Sequence, residues 1–160
     1  MTELPPAARR VQAALDALGL RLQVVTLPAS TRTAAEAAAA VGCEVGQIVK
    51  SLIFRAATSD APILVLASGA NRVDEARLAE LVGEPIVKAD AAFVRAHTGY
   101  AIGGVAPVGH PQPLRSYIDA DLLAYDTLWA AAGTPHSVFA LRPDDLQRLT
   151  GGTVVALASA

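Results

Sequence analysis

The sequence predicts an α+β domain, and three observations carry that expectation. Short apolar segments with strand alternation are interspersed with short segments of helical spacing. No linker, repeat or low-complexity stretch beyond one alanine-rich helix divides residues 1–160, a length that suits a single domain. The chain is 52% hydrophobic and 18% charged but only 4% aromatic, so its core must rest on Ala, Val and Leu. Such a composition folds and does not stay disordered.

Pro5 and Pro6 precede Val11, Leu15 and Leu18 at helical spacing, with Gly19 at the C-terminal cap position, which predicts an amphipathic helix from Pro6 to Leu18. Leu22–Leu27 is rich in β-branched residues and is stopped by Pro28, so it reads as a strand entering the polar Ser30–Thr33 loop. Thr33 and Glu36 have capping-box spacing before a run of alanines that ends at Gly42. Ile48–Ala56 alternates as a strand and puts Ile48, Lys50, Leu52 and Phe54 on one face. Lys50 is the single charge in that apolar row. Pro62–Ala67 is a continuous apolar run suited to a central strand, and the Ser68–Asn71 turn leads to a helix over Asp74–Val82. A brief strand at Ile86–Lys88 leads to Asp90, the N-cap of a helix through His97 closed by Gly99.

Tyr100–His110 holds Gly103, Gly104, Pro107 and Gly109 among apolar residues, which makes it a loop too hydrophobic to be merely solvated. Leu114–Ile118, Thr127–Ala132 and His136–Leu141 read as strands, the last two joined by the turn Gly133–Pro135. Pro143 opens a final helix with Asp144 and Asp145 in its first turn, where carboxylates favour the helix dipole, and Val154–Leu157 is placed to close a sheet.

Several familiar chemistries find no support. Gly42, Gly46, Lys50 and Ser51 approximate a phosphate loop, but that motif needs Gly directly before the Lys, and Val49 stands there. The glycine loop lacks the G-x-G-x-x-G order of a dinucleotide site. His97, His110 and His136 are far apart and form no metal-ligand pair, so neither a metal nor any other cofactor is expected. Cys43, the single cysteine, reads as a small buried filler; it excludes an internal disulfide and suits a reducing compartment. No G-x-S-x-G nucleophile elbow occurs.

Two features stay open on residue chemistry alone. Lys50 either lies near the sheet edge and extends its ammonium to water, or it reaches an anionic or carbonyl group at the mouth of a pocket. The Gly103-Gly104 loop is either an ordinary turn or a set of backbone N–H groups facing a reacting carbonyl as an oxyanion hole.

The segments Thr33–Ala38, Ile48–Phe54, Ser68-Gly69 with Asp74 and Leu78, Thr98–Gly109 and Ala131–Gly133, taken in order and spacing, resemble the YbaK/ProX family of aminoacyl-tRNA deacylases. The resemblance covers nearly the whole chain; its most specific parts are the strand lysine and the Gly-Gly-Val-x-Pro-x-Gly loop. It implies a domain similar to the editing insertion of bacterial prolyl-tRNA synthetases, with a mixed, mostly antiparallel, partly barrel-like sheet and short flanking helices. It implies trans-editing hydrolysis of the ester of misacylated tRNA, most often tRNA for proline carrying cysteine or alanine. Lys50 matches the family's functional lysine and Gly103–Pro107 its G-x-x-x-P loop. By resemblance, Lys50 orients the terminal adenosine or its phosphate. Amides of Gly103 and Gly104 hold the ester carbonyl while water, or a group of the substrate, attacks. Ser30, Thr31, Ser51, Val105, Pro107, Gly109, Gly133 and His136 are the expected substrate-binding residues. Ser51 stands where many members have Thr or Asn, which leaves the substrate class open.

The physical logic of such an enzyme is that a synthetic site cannot strongly exclude an amino acid smaller than its intended one, so a second sieve is useful. The formal charge of −2 argues against a broad nucleic-acid surface. It suits an enzyme that holds only the aminoacyl 3′ end and leaves the tRNA body to a prolyl-tRNA synthetase partner, with modest salt dependence. No DNA or membrane partner is expected, since no apolar run approaches the roughly 20 residues that span a bilayer. The Met1–Pro6 start lacks a secretory signal, and a cytoplasmic location is expected. The alternatives are a noncatalytic module for aminoacylated or adenylated ends, and an interaction domain using apolar Val105–Val108. RNA-dependent turnover separates the three.

Overall fold

The computed structural model describes residues 3–159; Met1, Thr2 and Ala160 lie outside the described residues, so the reading of the chain's start is only partly covered. Helix α1 (Pro6–Ala17) begins at a proline whose missing N–H has no partner in a first turn, and Ala8, Val11 and Leu15 are fully buried. Strand β1 (Val24–Thr26) is shorter than the apolar segment that carries it. Helix α2 (Ala34–Val41) has the expected cap, with Glu36 N–H donating to Thr33 Oγ1 at 3.1 Å. Strands β2 (Ile48–Ala56) and β3 (Pro62–Ser68) form a hairpin. Helix α3 (Glu75–Val82), strand β4 (Ile86–Lys88) and helix α4 (Ala91–Thr98) follow, the helices capped by Asp74 and Asp90 side chains.

Beyond the glycine loop come β5 (Arg115–Asp119), β6 (Leu128–Ala131), β7 (Ser137–Leu141), α5 (Pro143–Thr150) and β8 (Thr153–Val155). Two 3₁₀ turns, Val45–Gln47 and Ala120–Ala124, were not legible in the sequence because neither spans enough residues to show a period.

The strands form one eight-stranded mixed sheet in the order β1-β7-β6-β2-β3-β5-β8, with β4 also on β2. Four of the seven pairings are antiparallel and three parallel. The α+β architecture is as expected, but the partial barrel closure is not. β1 and β8 stand at the two ends of the path, and no pairing joins them among the described residues, so the sheet is open.

Both faces of the sheet are covered. On one, Val49, Ile53, Leu64 and Leu66 pack with Val11 and Leu15 of α1 and with Tyr100 and Val105 of the glycine loop. On the other, Phe54, Ile63, Val65 and Ala67 pack around Leu78 of α3. This explains why β3, buried on both sides, reads as an unbroken apolar run.

β2 is the hub. One edge pairs with β3 from Val49 to Arg55; the other meets β6 only at Ile48 and Val49, and β4 only from Phe54 to Ala56. Between those two short ladders lies an opening in the sheet.

Candidate functional site

A cleft of about 990 Å³ occupies that opening. Its walls include Lys50–Phe54 of β2, Trp129–Ala131 of β6, the Lys88-Ala89 end of β4, Thr31–Ala34 before and within α2, Ala70–Val73 after β3, and Ile102, Gly103 and Val105 of the glycine loop.

Lys50 sits in the middle of β2, opposite Ala67, and is half-buried. Its ammonium donates to the Asn71 carbonyl at 2.5 Å, and its other two N–H donors have no partner among the described residues. Burial pulls the Lys50 pKa below the ordinary lysine value, the negative charge of Asp119 opposes that pull, and Arg72 adds to it. Asn71 is itself fixed: its Nδ2 donates to Asp119 Oδ2 at 2.9 Å and to Asp121 Oδ2 at 2.7 Å. Asp119 is 1% exposed and also accepts from Ser68 N–H and Asp121 N–H, each at 3.0 Å. A buried carboxylate thus locks the turn whose carbonyl aims the lysine. The same turn needs Gly69, where a Cβ would lie 2.4 Å from the Val45 carbonyl oxygen.

The lining is cationic although the chain is mildly acidic. Arg32, Lys50, Arg72 and Lys88 border the cleft against one carboxylate, Glu75. None of the four takes part in an ion pair among the described residues. Arg32, Arg72 and Lys88 come from three separate loops and strand ends, so no sequence cluster announces them.

The glycine loop is stapled from within. Tyr100 Oη donates to the Val108 carbonyl at 2.7 Å and His110 Nε2 to the Ala106 carbonyl at 2.8 Å. Gly103, at φ 98°, borders the cleft, and its N–H has no main-chain partner among the described residues. Gly104 differs from expectation: its N–H already donates to the Ala101 carbonyl at 3.0 Å, and it does not line the cleft. A Cβ there would stand 2.9 Å from the Gly133 main chain, so Gly104 is glycine because two loops touch.

Of the expected substrate-binding residues, Thr31, Ser51 and Val105 line the cleft with Lys50 and Gly103. The Thr31 hydroxyl is used in holding the loop, donating to the Pro135 carbonyl at 2.8 Å. Ser30, Gly133 and His136 do not line it. His136 Nδ1 lies 3.1 Å from the Ala29 carbonyl, and a Cβ on Gly133 would meet the Ala7 main chain at 2.8 Å. Pro107 and Gly109 border a separate hollow of about 250 Å³, and Gly109 makes room for the Tyr100 hydroxyl. Among the described residues no group of His, Cys, Asp and Glu is arranged to hold a metal.

A model of the aminoacyl-tRNA editing domain matches residues 28–149. The chain belongs to the aminoacyl-tRNA editing domain family. Membership gives the enzyme class, hydrolysis of aminoacyl-tRNA. Among relatives of this editing domain, the uncharacterized protein YwhH of Bacillus subtilis is 30% identical over 127 residues, covering 79% of this chain and 80% of that one. A protein of Enterococcus faecalis provisionally named Cys-tRNA(Pro)/Cys-tRNA(Cys) deacylase EbsC is 26% identical, covering 75% of this chain and 73% of its own. A crystal structure provisionally described as a trans-editing enzyme for prolyl tRNA synthetase superposes with TM-score 0.93 at 53% identity, covering 99% of this chain and all of that one. The crystal structure of hypothetical protein APE2540 gives TM-score 0.87 at 31% identity, over 94% of this chain and 99% of that chain. No helix among the described residues is long and apolar enough to cross a membrane.

Proposed function

We propose that this editing domain acts in trans on tRNA for proline, releasing alanine or cysteine by hydrolysis of the aminoacyl ester, in association with prolyl-tRNA synthetase in the cytoplasm. The observation that carries this reading is the cleft in the sheet, where a half-buried lysine with free donors, unpaired arginines and a glycine-loop amide converge. About 990 Å³ suits an aminoacyl-adenosine and exceeds the needs of an amino acid alone.

In this reading Lys50 orients the terminal nucleotide through its phosphate or ribose oxygens, and Arg32, Arg72 and Lys88 take neighbouring phosphates. Gly103 N–H, across the cleft from β2, stabilises charge on the ester carbonyl as water or a substrate group attacks. An aminoacyl ester is already activated, so positioning and fixed dipoles suffice without a protein nucleophile. The name of the Enterococcus relative favours cysteine as the amino acid and the crystal-structure relative favours proline's synthetase as the partner.

The test is release of labelled amino acid from tRNA for proline charged separately with alanine, cysteine and proline. Release of one noncognate residue, reduced at least about 100-fold in Lys50→Ala, supports the reading. No release from any of the three sinks it and promotes the noncatalytic binding module. Gly104→Ala is a poor probe, because its Cβ would collide with Gly133 whatever the chemistry.

A further inference from the structure

The opening in the sheet leaves a specific set of main-chain groups without partners. Gly69 N–H donates to the Ile48 carbonyl and Ala56 N–H to the Ala61 carbonyl, so the even-numbered residues of β2 bond to β3. The odd-numbered ones face the other edge. Val49 is taken by β6 and Arg55 by β4, but the β6 ladder ends at Val49↔Ala130 and the β4 ladder starts at Phe54↔Lys88. Among the described residues the N–H and C=O of Ser51, together with the N–H of Ile53, are left over at the cleft wall. Ser51 Oγ is buried and also has no hydrogen-bond partner among the described residues.

Interior polar groups are nearly always paired, so a cluster of unpaired ones on a single residue lining the cleft marks a place where a ligand completes the bonding. We propose that the aminoacyl group docks on Ser51 as a one-residue strand, supplying the rung missing between β6 and β4. Its α-ammonium donates to the Ser51 carbonyl, and its ester carbonyl accepts from Ser51 N–H. An α-aminoacyl group in extended conformation presents its nitrogen and carbonyl oxygen on one side, as each residue of an antiparallel pair does. No other ligand class fits the opening as well: a peptide would need several consecutive free rungs, and a phosphate has no donor for the Ser51 carbonyl.

This inference rests on the aminoacyl substrate of the proposed function and goes beyond it in naming the groups that hold the acyl part. Two consequences follow. Recognition of the α-amino and carbonyl groups is independent of the amino acid side chain, which leaves selection to the rest of the cleft. Ser51 N–H also becomes a second donor to the carbonyl under attack, beside Gly103 N–H.

The test uses calorimetric binding of a non-hydrolysable ligand, 3′-alanylamido-3′-deoxyadenosine, beside the same ligand with propionyl in place of alanyl. Wild-type protein is compared with a backbone ester at position 51, in which the serine α-hydroxy acid replaces Ser51, removing its N–H and weakening the Lys50 carbonyl as an acceptor. The expected result is that the ester weakens alanyl binding at least about five-fold, as loss of one hydrogen bond requires. The propionyl ligand, lacking the donor, binds wild type at least about five-fold more weakly than the alanyl ligand. The ester at 51 removes no ladder N–H and only weakens the Lys50 carbonyl's bond to β3, so it lowers the melting temperature less than an ester at Leu52, whose own N–H bonds β3. Alanyl binding that survives both the ester and the loss of the ammonium overturns the docking on Ser51. If turnover of mischarged tRNA is normal in that same ester, the deacylase reading stands while this one falls.

Discussion

Asp119→Asn changes one atom and keeps the shape of the side chain. Every partner of the Asp119 carboxylate is a donor: Ser68 N–H and Asn71 Nδ2 on Oδ2, and Asp121 N–H on Oδ1. An amide offers one acceptor oxygen, so its NH₂ group must face a donor in either orientation. With its oxygen in the Oδ2 place, the variant keeps two bonds without their charge and confronts Asp121 N–H with an N–H. At 1% exposure no solvent relieves that contact. Loss of one charge-assisted hydrogen bond and weakening of two more amounts to about 3 kcal/mol. For a chain of this size that lowers the melting temperature by roughly 6–12 °C. The Asp119 charge also supports protonation of Lys50, so its removal moves the alkaline fall in kcat/KM toward lower pH. The measurements are calorimetric melting and a pH–rate profile for release of amino acid from mischarged tRNA. A melting temperature within about 2 °C of wild type would refute the account of a carboxylate satisfied only by donors.

Four further outcomes are expected. In the wild type, kcat/KM falls with rising pH at an apparent pKa below that of a free lysine, because burial favours the neutral amine; an alkaline limb at the ordinary lysine value would contradict this. The sign for stability is opposite: a lysine whose folded pKa is depressed adds stability as pH rises from its folded to its unfolded pKa, so urea unfolding of wild type minus Lys50→Met should show that gain. Arg72→Ala and Lys88→Ala should each raise KM for mischarged tRNA and reduce the slope of log affinity against log salt by about one, with kcat little changed; unaltered slopes would remove both from the phosphate path. Gly69→Ala should destabilise by about 2 kcal/mol or more in urea unfolding, because its Cβ lies 2.4 Å from the Val45 carbonyl oxygen, a main-chain atom; a neutral result would mean that the turn is free to shift.

Much of the fold was legible because its signals are local. The caps at Thr33 and Asp90 and the αL glycines at 42 and 99 sit where the sequence puts them. Lys50 stood out because a charge in an alternating apolar row is chemically conspicuous. What stayed hidden depends on long-range register. The opening beside Ser51 exists only because β6 and β4 each pair with a few residues of β2, which no single segment reveals. Asp119 reads like any acidic strand end until three donors surround it. Gly104, Gly109 and Gly133 resembled parts of a substrate loop, yet each leaves room for another part of the chain. The net charge does not tell where charges lie, since an acidic total conceals four cations gathered at one cleft.

The order of strands also dictates when this enzyme can come into being. The β2–β3 hairpin is available early in synthesis, but its neighbour β6 emerges some eighty residues after β2 begins, and β1 waits still longer for β7. At roughly 5–20 residues per second, the nascent chain carries the hairpin without β6 for several seconds before the cleft has both of its walls. Lys50 is therefore present on the ribosome well before it has a site to serve, and the demand on chaperones should fall on that interval. A circular permutant that begins at the Thr58 turn and joins the native termini would separate β2 from β3 and bring β6 out before β2. It would test whether this delay or the final architecture limits the yield of active protein.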